Sequence, residues 1–264
     1  MRRIAFINEK GGTGKTTLAV NVAAYLAMHK QMRVLLVDLD TQGHAGKALG
    51  LDVRGISPNV FHLLSDPEVT LQQVIHPSAI PGLEVIPSYK QMSEFPVVAH
   101  ARPRKEHLLA ARIEEAAALG YGAVVFDAPP SLGLTTINIL CAASEIVVPV
   151  ALSYLSLDGC AEVVDTVRLV AEQHGRSQLR VTRVVPTLYR KTALADAILA
   201  KLHEYFPHEV ARTPLALNVK IDEAQSHGQT IFEYAPTSKG AALLAEIAEE
   251  LYLAGATGAQ RASA

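Results

Sequence analysis

A glycine-rich segment between an apolar strand and a helix constrains the fold of this chain more than any other feature. The segment, EKGGTGKTT at positions 9–17, follows the run IAFIN and leads into a helical pattern over Thr16–Lys30. Gly11, Gly12 and Gly14 allow backbone N–H groups to turn inward, and the N-terminus of the helix adds the positive end of its dipole. A strand, a glycine-rich turn and a helix in this order predict a phosphate-binding loop in an α/β sheet.

The rest of the chain alternates short β-branched runs with longer helical patterns. Runs such as VLLVD, AVVFD and IVVPV are almost continuously apolar, which is typical of parallel strands covered on both faces. We therefore predict one doubly wound, mostly parallel α/β sheet with helices on both faces, formed by residues 1–254 and followed by a flexible tail at 255–264. The predicted strands are Arg3–Asn8, Arg33–Asp38, Leu83–Pro87, Ala123–Asp127, Glu145–Val150 and Arg180–Val185. The predicted helices are Thr16–Lys30, Lys105–Leu119, Asp158–His174, Leu194–Tyr205 and Ser238–Leu253.

The loop also carries the charged and hydroxyl side chains that a nucleoside triphosphate requires. We expect Lys15 to reach the β- and γ-phosphates and the Thr16 hydroxyl to bind Mg²⁺. The usual motif has glycine six residues before this lysine, but here Glu9 stands there and Lys10 follows, which adds a second lysine aimed at phosphate. The residues expected to contact ATP in this loop are Lys10, Gly11, Gly12, Thr13, Gly14, Lys15, Thr16 and Thr17.

Three aspartates follow apolar runs at the points where strands are predicted to end. Asp38 and Asp40 come after VLLV, and Asp127 comes after AVVF. Ligands bind at the carboxyl ends of the strands in an open α/β sheet, and a right-handed crossover places the Asp38 strand near the phosphate-loop strand. Carboxylates there can hold Mg²⁺ through water or orient an attacking water, so we expect all three to serve the nucleotide.

Composition excludes several classes of protein. With 24 basic and 26 acidic side chains the chain is not a wholly basic nucleic-acid binder, although residues 176–220 hold eight Lys or Arg and three Asp or Glu. Two cysteines cannot form a disulfide scaffold, which favours a reduced cytosolic setting. The sequence shows no signal peptide and no membrane-length apolar run, and its ten histidines show no metal-binding spacing, so we expect a soluble intracellular protein.

Four motifs together resemble the ParA/Soj branch of the ParA–MinD ATPases. They are KGGTGKTT, LLVDLDTQGHA, VVFDAPPSLG and YAPTSKGA, and the resemblance extends over nearly the whole chain. It implies an ATP- and Mg²⁺-dependent ATPase whose ATP-bound sandwich dimer binds double-stranded DNA without sequence preference. It also implies a ParB-type centromere-binding partner that stimulates slow hydrolysis, and a cytoplasmic, nucleoid-associated location with no membrane partner.

The resemblance assigns roles to single residues. Lys10 corresponds to the signature lysine that crosses to the phosphates of the partner subunit. Asp40 corresponds to the residue that activates the hydrolytic water, with Asp38 assisting, and Asp127 corresponds to the Walker B acid that holds Mg²⁺ through water. Asn218 in LNVK matches an asparagine that touches adenine, although Ala and Leu replace the Pro and Arg that precede it in the family. The candidate DNA contacts are Lys191, Lys220, Arg190 and Arg183, with Arg212 as a further member.

Other proteins with this loop make different predictions. A MinD-like protein ends in a basic amphipathic helix that inserts into membranes, whereas the last predicted helix here carries Glu246, Glu249 and Glu250 and would be repelled by anionic lipid. The nitrogenase iron protein needs glycine-flanked cluster cysteines, whereas Cys141 and Cys160 lie in helical patterns. An ATP-dependent metabolic ligase or kinase stays open, although the sequence shows no acceptor motif.

Overall fold

A central seven-stranded sheet organises the computed structural model, which describes residues 1–153, 156–176 and 179–262. The strands are β1 (Arg2–Phe6), β2 (Val34–Asp38), β3 (His76–Pro77), β4 (Leu83–Ile86), β5 (Ala123–Asp127), β6 (Glu145–Ala151) and β7 (Val181–Thr187). Their order across the sheet is β3-β4-β2-β5-β1-β6-β7. Only β3 runs antiparallel among these strands, which confirms the predicted, mostly parallel sheet.

Helices cover both faces of this sheet. They are α1 (Lys15–Lys30), α2 (His44–Ala48), α3 (Val60–Ser65), α4 (Leu71–Val74), α5 (Phe95–Ala99), α6 (Leu108–Ala118), α7 (Leu134–Ala142), α8 (Ser156–Gln173), α9 (Ala193–Tyr205), α10 (Val219–Ser226), α11 (Ile231–Tyr234) and α12 (Lys239–Ala262). Short 3₁₀ helices span Lys90–Glu94 and Lys105–His107. The core on one face is formed with α1, α2 and α10 to α12, and the core on the other with α3 to α9.

Strand β5 shows why the apolar runs need cover on both faces. Successive side chains of a strand point to opposite faces, so Val124 and Phe126 pack in one core while Ala123 and Val125 pack in the other. All four side chains are fully buried. The same alternation leaves no polar position inside the strand before Asp127, which ends it.

The order of the strands places a crevice at the end of β1. After β1 the chain builds strands on one side of it, and β6 then begins the other side. Ligands bind at such switch points, next to the carboxyl ends of the strands. Strand β5 lies between β1 and β2, so the Asp38 strand is one strand further from the phosphate-loop strand than direct adjacency would give.

The structure also differs from the predicted elements. The long strands and helices begin and end within a few residues of their expected bounds, except that α12 continues to Ala262 instead of ending at Leu253. Its last turns are rich in alanine, which has the highest helix propensity, so the helix continues into the segment expected to be a tail. The short α-helices between residues 39 and 107 were not predicted, because helices of four to six residues are too short to show a period, whereas β4 was predicted within one residue.

Candidate nucleotide-binding site

The glycine-rich segment folds as an anion-binding turn in front of α1. Gly12 and Gly14 have φ angles of 71° and 86°, in the left-handed region that a side chain would strain. Gly14 is the residue from which α1 begins, so the unpaired N–H groups of the first helical turn face the loop. This conformation confirms the predicted glycine-rich turn before α1, and its contact with phosphate oxygens stays a prediction.

The ends of three strands hold the loop in place. The side-chain amide of Asn8 donates to the Pro149 carbonyl at 2.7 Å, and its oxygen accepts from the Lys10 N–H at 3.0 Å. On the other side, the Thr187 hydroxyl at the end of β7 donates to the Thr13 carbonyl at 2.8 Å. The contacts of Asn8 with Pro149 and of Thr187 with Thr13 join residues that are distant in sequence, and the loop therefore depends on the assembled sheet.

Lys15 lies buried beneath the loop. Its Nζ donates to the backbone carbonyl of Lys10 at 3.0 Å, and this hydrogen bond joins the two ends of the loop. Burial lowers the pKa of Lys15, and the negative charges of Asp127 and Asp40 oppose that shift. A cation in this position, with carboxylates on one side and the loop on the other, can meet the phosphate charge of a nucleotide.

Asp127 and Thr16 form the candidate metal position. The Thr16 hydroxyl donates to Asp127 Oδ2 at 2.7 Å, while the buried Oδ1 of Asp127 has no hydrogen-bond partner within the described residues. Burial, and then the charge of Asp38, raises the pKa of Asp127 well above its usual value. A hydroxyl and a carboxylate with one uncompensated oxygen are hard oxygen ligands, so these residues fit Mg²⁺ or its bound water.

Asp38 is fully buried beside Asp127. The two residues are paired across β2 and β5, and burial raises the pKa of Asp38 to about 7. Its Oδ1 accepts from the Asp40 N–H at 3.0 Å, and its Oδ2 accepts from the N–H groups of Ala45 and Gly46 at 2.9 and 3.4 Å. The carboxylate thus fastens the segment 40–46 to the end of β2, while the assisting catalytic role of Asp38 stays a prediction.

Asp40 is the more accessible of the two aspartates. It is half-buried, and its Oδ1 accepts from the Gln42 N–H at 3.0 Å. The negative charge of Asp40 acts on Lys15, where it opposes the lowering of the Lys15 pKa by burial. The side chain therefore lies near the phosphate loop in a position from which it can orient a water molecule.

The chain shares this fold and these motifs with known proteins. A family model described as an AAA domain matches residues 1–181. The chain is 40% identical over 253 residues to the chromosome-partitioning ATPase Soj of Thermus thermophilus, covering 95% of each chain. It is 36% identical over 249 residues to the sporulation initiation inhibitor protein Soj of Bacillus subtilis, covering 94% of this chain and 97% of the relative. The chain belongs to the ParA/Soj family of ATPases.

A solved structure extends the comparison of this ParA/Soj chain to its fold. The structure is described as cobyrinic acid a,c-diamide synthase from Mycobacterium smegmatis with bound ATP analogue and magnesium. It matches with a TM-score of 0.83 and 26% identity, covering 96% of this chain and 94% of that chain. The similarity of the two structures confirms the α/β fold predicted from the sequence, and the other protein was solved with an ATP analogue.

Asn218 caps a helix of the ParA/Soj chain next to the end of β7. Its side-chain oxygen accepts from the Lys220 N–H at 2.9 Å and so caps the N-terminus of α10. Backbone hydrogen bonds from Tyr189 to Leu215 and from Leu217 to Tyr189 hold this segment alongside the residues that follow β7. The cap fixes the loop near the nucleotide edge, and its contact with adenine stays a prediction.

The candidate DNA-binding residues do not form one group. Arg190 and Lys191 are exposed directly after β7, at the nucleotide edge. Lys220 is exposed nearby, but its Nζ is 2.7 Å from Glu223. Arg183 lies four residues before the end of β7 and pairs with Glu250 of α12 at 3.4 Å, and Arg212 lines a groove along the same helix. The cationic surface at this edge is therefore smaller than the sequence count suggested.

Sequence reasoning missed two residues that fix the nucleotide site. Thr187 holds the loop as described, and Gln225 of α10 donates from its side-chain amide to the Thr17 hydroxyl at 2.7 Å. A polar residue at the end of a buried strand is a signal that could have identified Thr187. Gln225 lies 208 positions from Thr17, and no local pattern marks it.

Replacement of Thr187 by valine tests whether β7 holds the loop. Thr187→Val keeps the volume but leaves the Thr13 carbonyl without its donor, and we expect ATP affinity to fall about fivefold to tenfold, the equivalent of one hydrogen bond. The matched control is Thr182→Val, because the Thr182 hydroxyl makes the same kind of bond, to the Ile146 carbonyl at 2.8 Å, at the start of β7. Fluorescent-nucleotide titration measures both variants, and equal affinities would contradict the role of Thr187.

Proposed function

We propose that this ParA/Soj chain is a Mg²⁺- and ATP-dependent partitioning ATPase that works as a switch. ATP favours a homodimer, the dimer binds double-stranded DNA without sequence preference, and hydrolysis reverses both steps. A ParB-type centromere-binding partner stimulates this slow hydrolysis, and the protein works on the nucleoid in the cytoplasm. The relatives named as Soj support the role in partitioning.

The residues of the phosphate loop support the nucleotide part of the proposal. The loop N–H groups and buried Lys15 bind the phosphates, while Thr16 and Asp127 hold Mg²⁺. When bound, the ion neutralises charge that develops on the transferred phosphoryl group. Asp40 orients the attacking water, and Asp38 keeps the Asp40 segment in place through its three backbone hydrogen bonds.

The observation that carries the dimer is the position of Lys10. Its side chain lies along Gly159 of α8, where a Cβ on the glycine would be 3.0 Å from Lys10 Cε. The buried ammonium of Lys15 donates to the backbone carbonyl of Lys10 and lies beneath the loop, where it can serve the phosphates of its own subunit. The side chain of Lys10 is only half-buried and lies at the rim of the loop. We infer that the ammonium of Lys10 meets the phosphates held by the partner subunit, which makes ATP part of the interface.

Replacement of Lys10 by alanine tests this inference. We expect Lys10→Ala to bind ATP but to raise the dimer dissociation constant at least about tenfold, because each subunit loses one charge-assisted contact across the interface. Light scattering with Mg²⁺–ATP measures the dimer, and Lys201→Ala, which changes an exposed lysine of α9, serves as the control. Normal ATP-dependent dimerisation of Lys10→Ala would contradict the role.

The DNA surface of the dimer is best placed at Arg190 and Lys191. Both are exposed and follow β7, whose last residue Thr187 contacts the phosphate loop. Nucleotide binding and these cations thus share one edge of the sheet. Contacts from lysine and arginine to DNA phosphates read no base sequence, which fits binding along any duplex.

DNA co-sedimentation tests the proposed function. We expect binding to arbitrary duplex DNA with Mg²⁺–ATP but not with ADP or without nucleotide, and the binding should weaken as salt rises. The double variant Arg190→Ala/Lys191→Ala should bind more weakly, with a salt slope that is smaller by about four, because each of the two subunits of the dimer loses two cations. Arg183→Ala is the control, since Arg183 already pairs with Glu250.

Binding that ignores the nucleotide, or an unchanged salt slope in the double variant, would contradict the proposal. ATP binding without any DNA binding would favour a metabolic ligase, the class to which the name of the diamide synthase points.

A MinD-like protein that cycles on and off membranes is the other alternative. From the sequence, we expect the acidic residues of α12 to be repelled by anionic lipid, which argues against this alternative. Glu249 is 2.6 Å from Lys30, Glu250 pairs with Arg183, and Glu246 accepts from the Thr213 hydroxyl. The acidic face of α12 is thus engaged with the protein, so the expected repulsion from lipid is weaker than the sequence suggested. Among the described residues, the structure has no helix long and apolar enough to cross a membrane. That the chain has no membrane partner stays a prediction, which vesicle flotation with Mg²⁺–ATP would test.

A further inference from the structure

Three metal-ligating side chains meet on the face of the sheet opposite α1. His107 ends the 3₁₀ helix before α6, Cys141 lies in α7, and His174 follows α8 directly. One ligand atom from each lies within 4.8 Å of the other two, and His107 Nε2 is 3.1 Å from His174 Nδ1. The sequence indicated no metal cluster because these residues stand more than thirty positions apart in the chain.

We propose that His107, Cys141 and His174 form a binding site for a zinc-type transition-metal ion. Zn²⁺ binds imidazole nitrogen at about 2.0–2.1 Å and thiolate sulfur at about 2.3 Å, so two nitrogens of a tetrahedral site lie about 3.3 Å apart. The observed 3.1 Å between the ring nitrogens is close to this separation. Imidazole and thiolate select Zn²⁺ over Mg²⁺, whereas the hydroxyl and carboxylate of Thr16 and Asp127 have the opposite preference.

The three side chains lie at the border between the core and the solvent. Cys141 is fully buried while both histidines are half-buried, so the site can be reached from solvent through the rings. The Arg176 guanidinium donates to the backbone carbonyls of Cys141 and Ala143, at the end of α7.

The place of the site in the fold indicates what the ion does. Three protein ligands leave a fourth position for water, and they come from three separate helical elements. A bound ion therefore ties the start of α6 and the end of α7 to the end of α8. Helix α8 also carries Gly159, against which Lys10 lies. By joining these elements, the bound ion stabilises the layer of helices that supports the rim of the phosphate loop.

Titration of the nucleotide-free protein with Co²⁺ tests the proposal, since a cobalt–thiolate bond gives a near-ultraviolet charge-transfer band. We expect one equivalent of Co²⁺ to produce the band and Zn²⁺ to remove it. Cys141→Ser should abolish it, and His174→Ala should weaken Co²⁺ binding at least about tenfold. Cys160→Ser is the matched control, because Cys160 is the other buried thiol and lies outside the cluster. Ions bound at Thr16 and Asp127 give no such band, as neither residue offers sulfur.

Thermal unfolding supplies a second readout. Zn²⁺ at one hundred times its dissociation constant should raise the Tm of the wild type by about 5 °C and leave that of His174→Ala nearly unchanged. No charge-transfer band in the folded wild type would overturn the proposal. A band that survives Cys141→Ser, or one that is lost in Cys160→Ser, would also overturn it. If Cys141→Ser fails to fold, His107→Ala and His174→Ala decide the question, because both positions are half-buried.

Discussion

Two buried carboxylates held side by side are the constraint on which the rest of this structure depends. Asp38 and Asp127 end neighbouring parallel strands, and both are excluded from solvent. Like charges in an apolar core cost free energy, which is why burial raises the pKa of each. The fold compensates one of them with backbone N–H groups and the other with the Thr16 hydroxyl and the charge of Lys15.

Asp38 and Asp127 differ in how many of their carboxylate oxygens have hydrogen-bond partners, and this difference points to different roles. Three backbone donors engage Asp38 and thereby set the path of the segment 40–46, including Asp40. Asp127 keeps one buried oxygen that no described residue satisfies, and that oxygen lies where Thr16 and the loop converge. A bound cation is the natural partner for it. The proposed Mg²⁺ site therefore rests on this oxygen and on the Thr16 hydroxyl.

Much of this arrangement could be predicted from the sequence because it is local. The glycines, Lys15, Thr16 and the aspartates at strand ends are marked by their neighbours in the chain, and β5 has the predicted bounds. Contacts between distant segments could not be predicted. Thr187 on the loop, the His107–Cys141–His174 cluster and the insertion of β5 between β1 and β2 all depend on the assembled sheet. A count of charges likewise misses the pairing of Arg183 with Glu250.

The most direct test of the account is the Mg²⁺ dependence of the stabilisation by ATP. The Tm would be measured with Mg²⁺ alone, with ATP and a chelator, and with Mg²⁺ and ATP together. If the ion compensates Asp127, Mg²⁺–ATP at one hundred times its dissociation constant raises the Tm by about 5 °C. The same concentration of ATP with chelator should raise it far less, and Asp127→Asn should remove most of the difference. An equal shift with and without Mg²⁺ in the wild type would contradict the account.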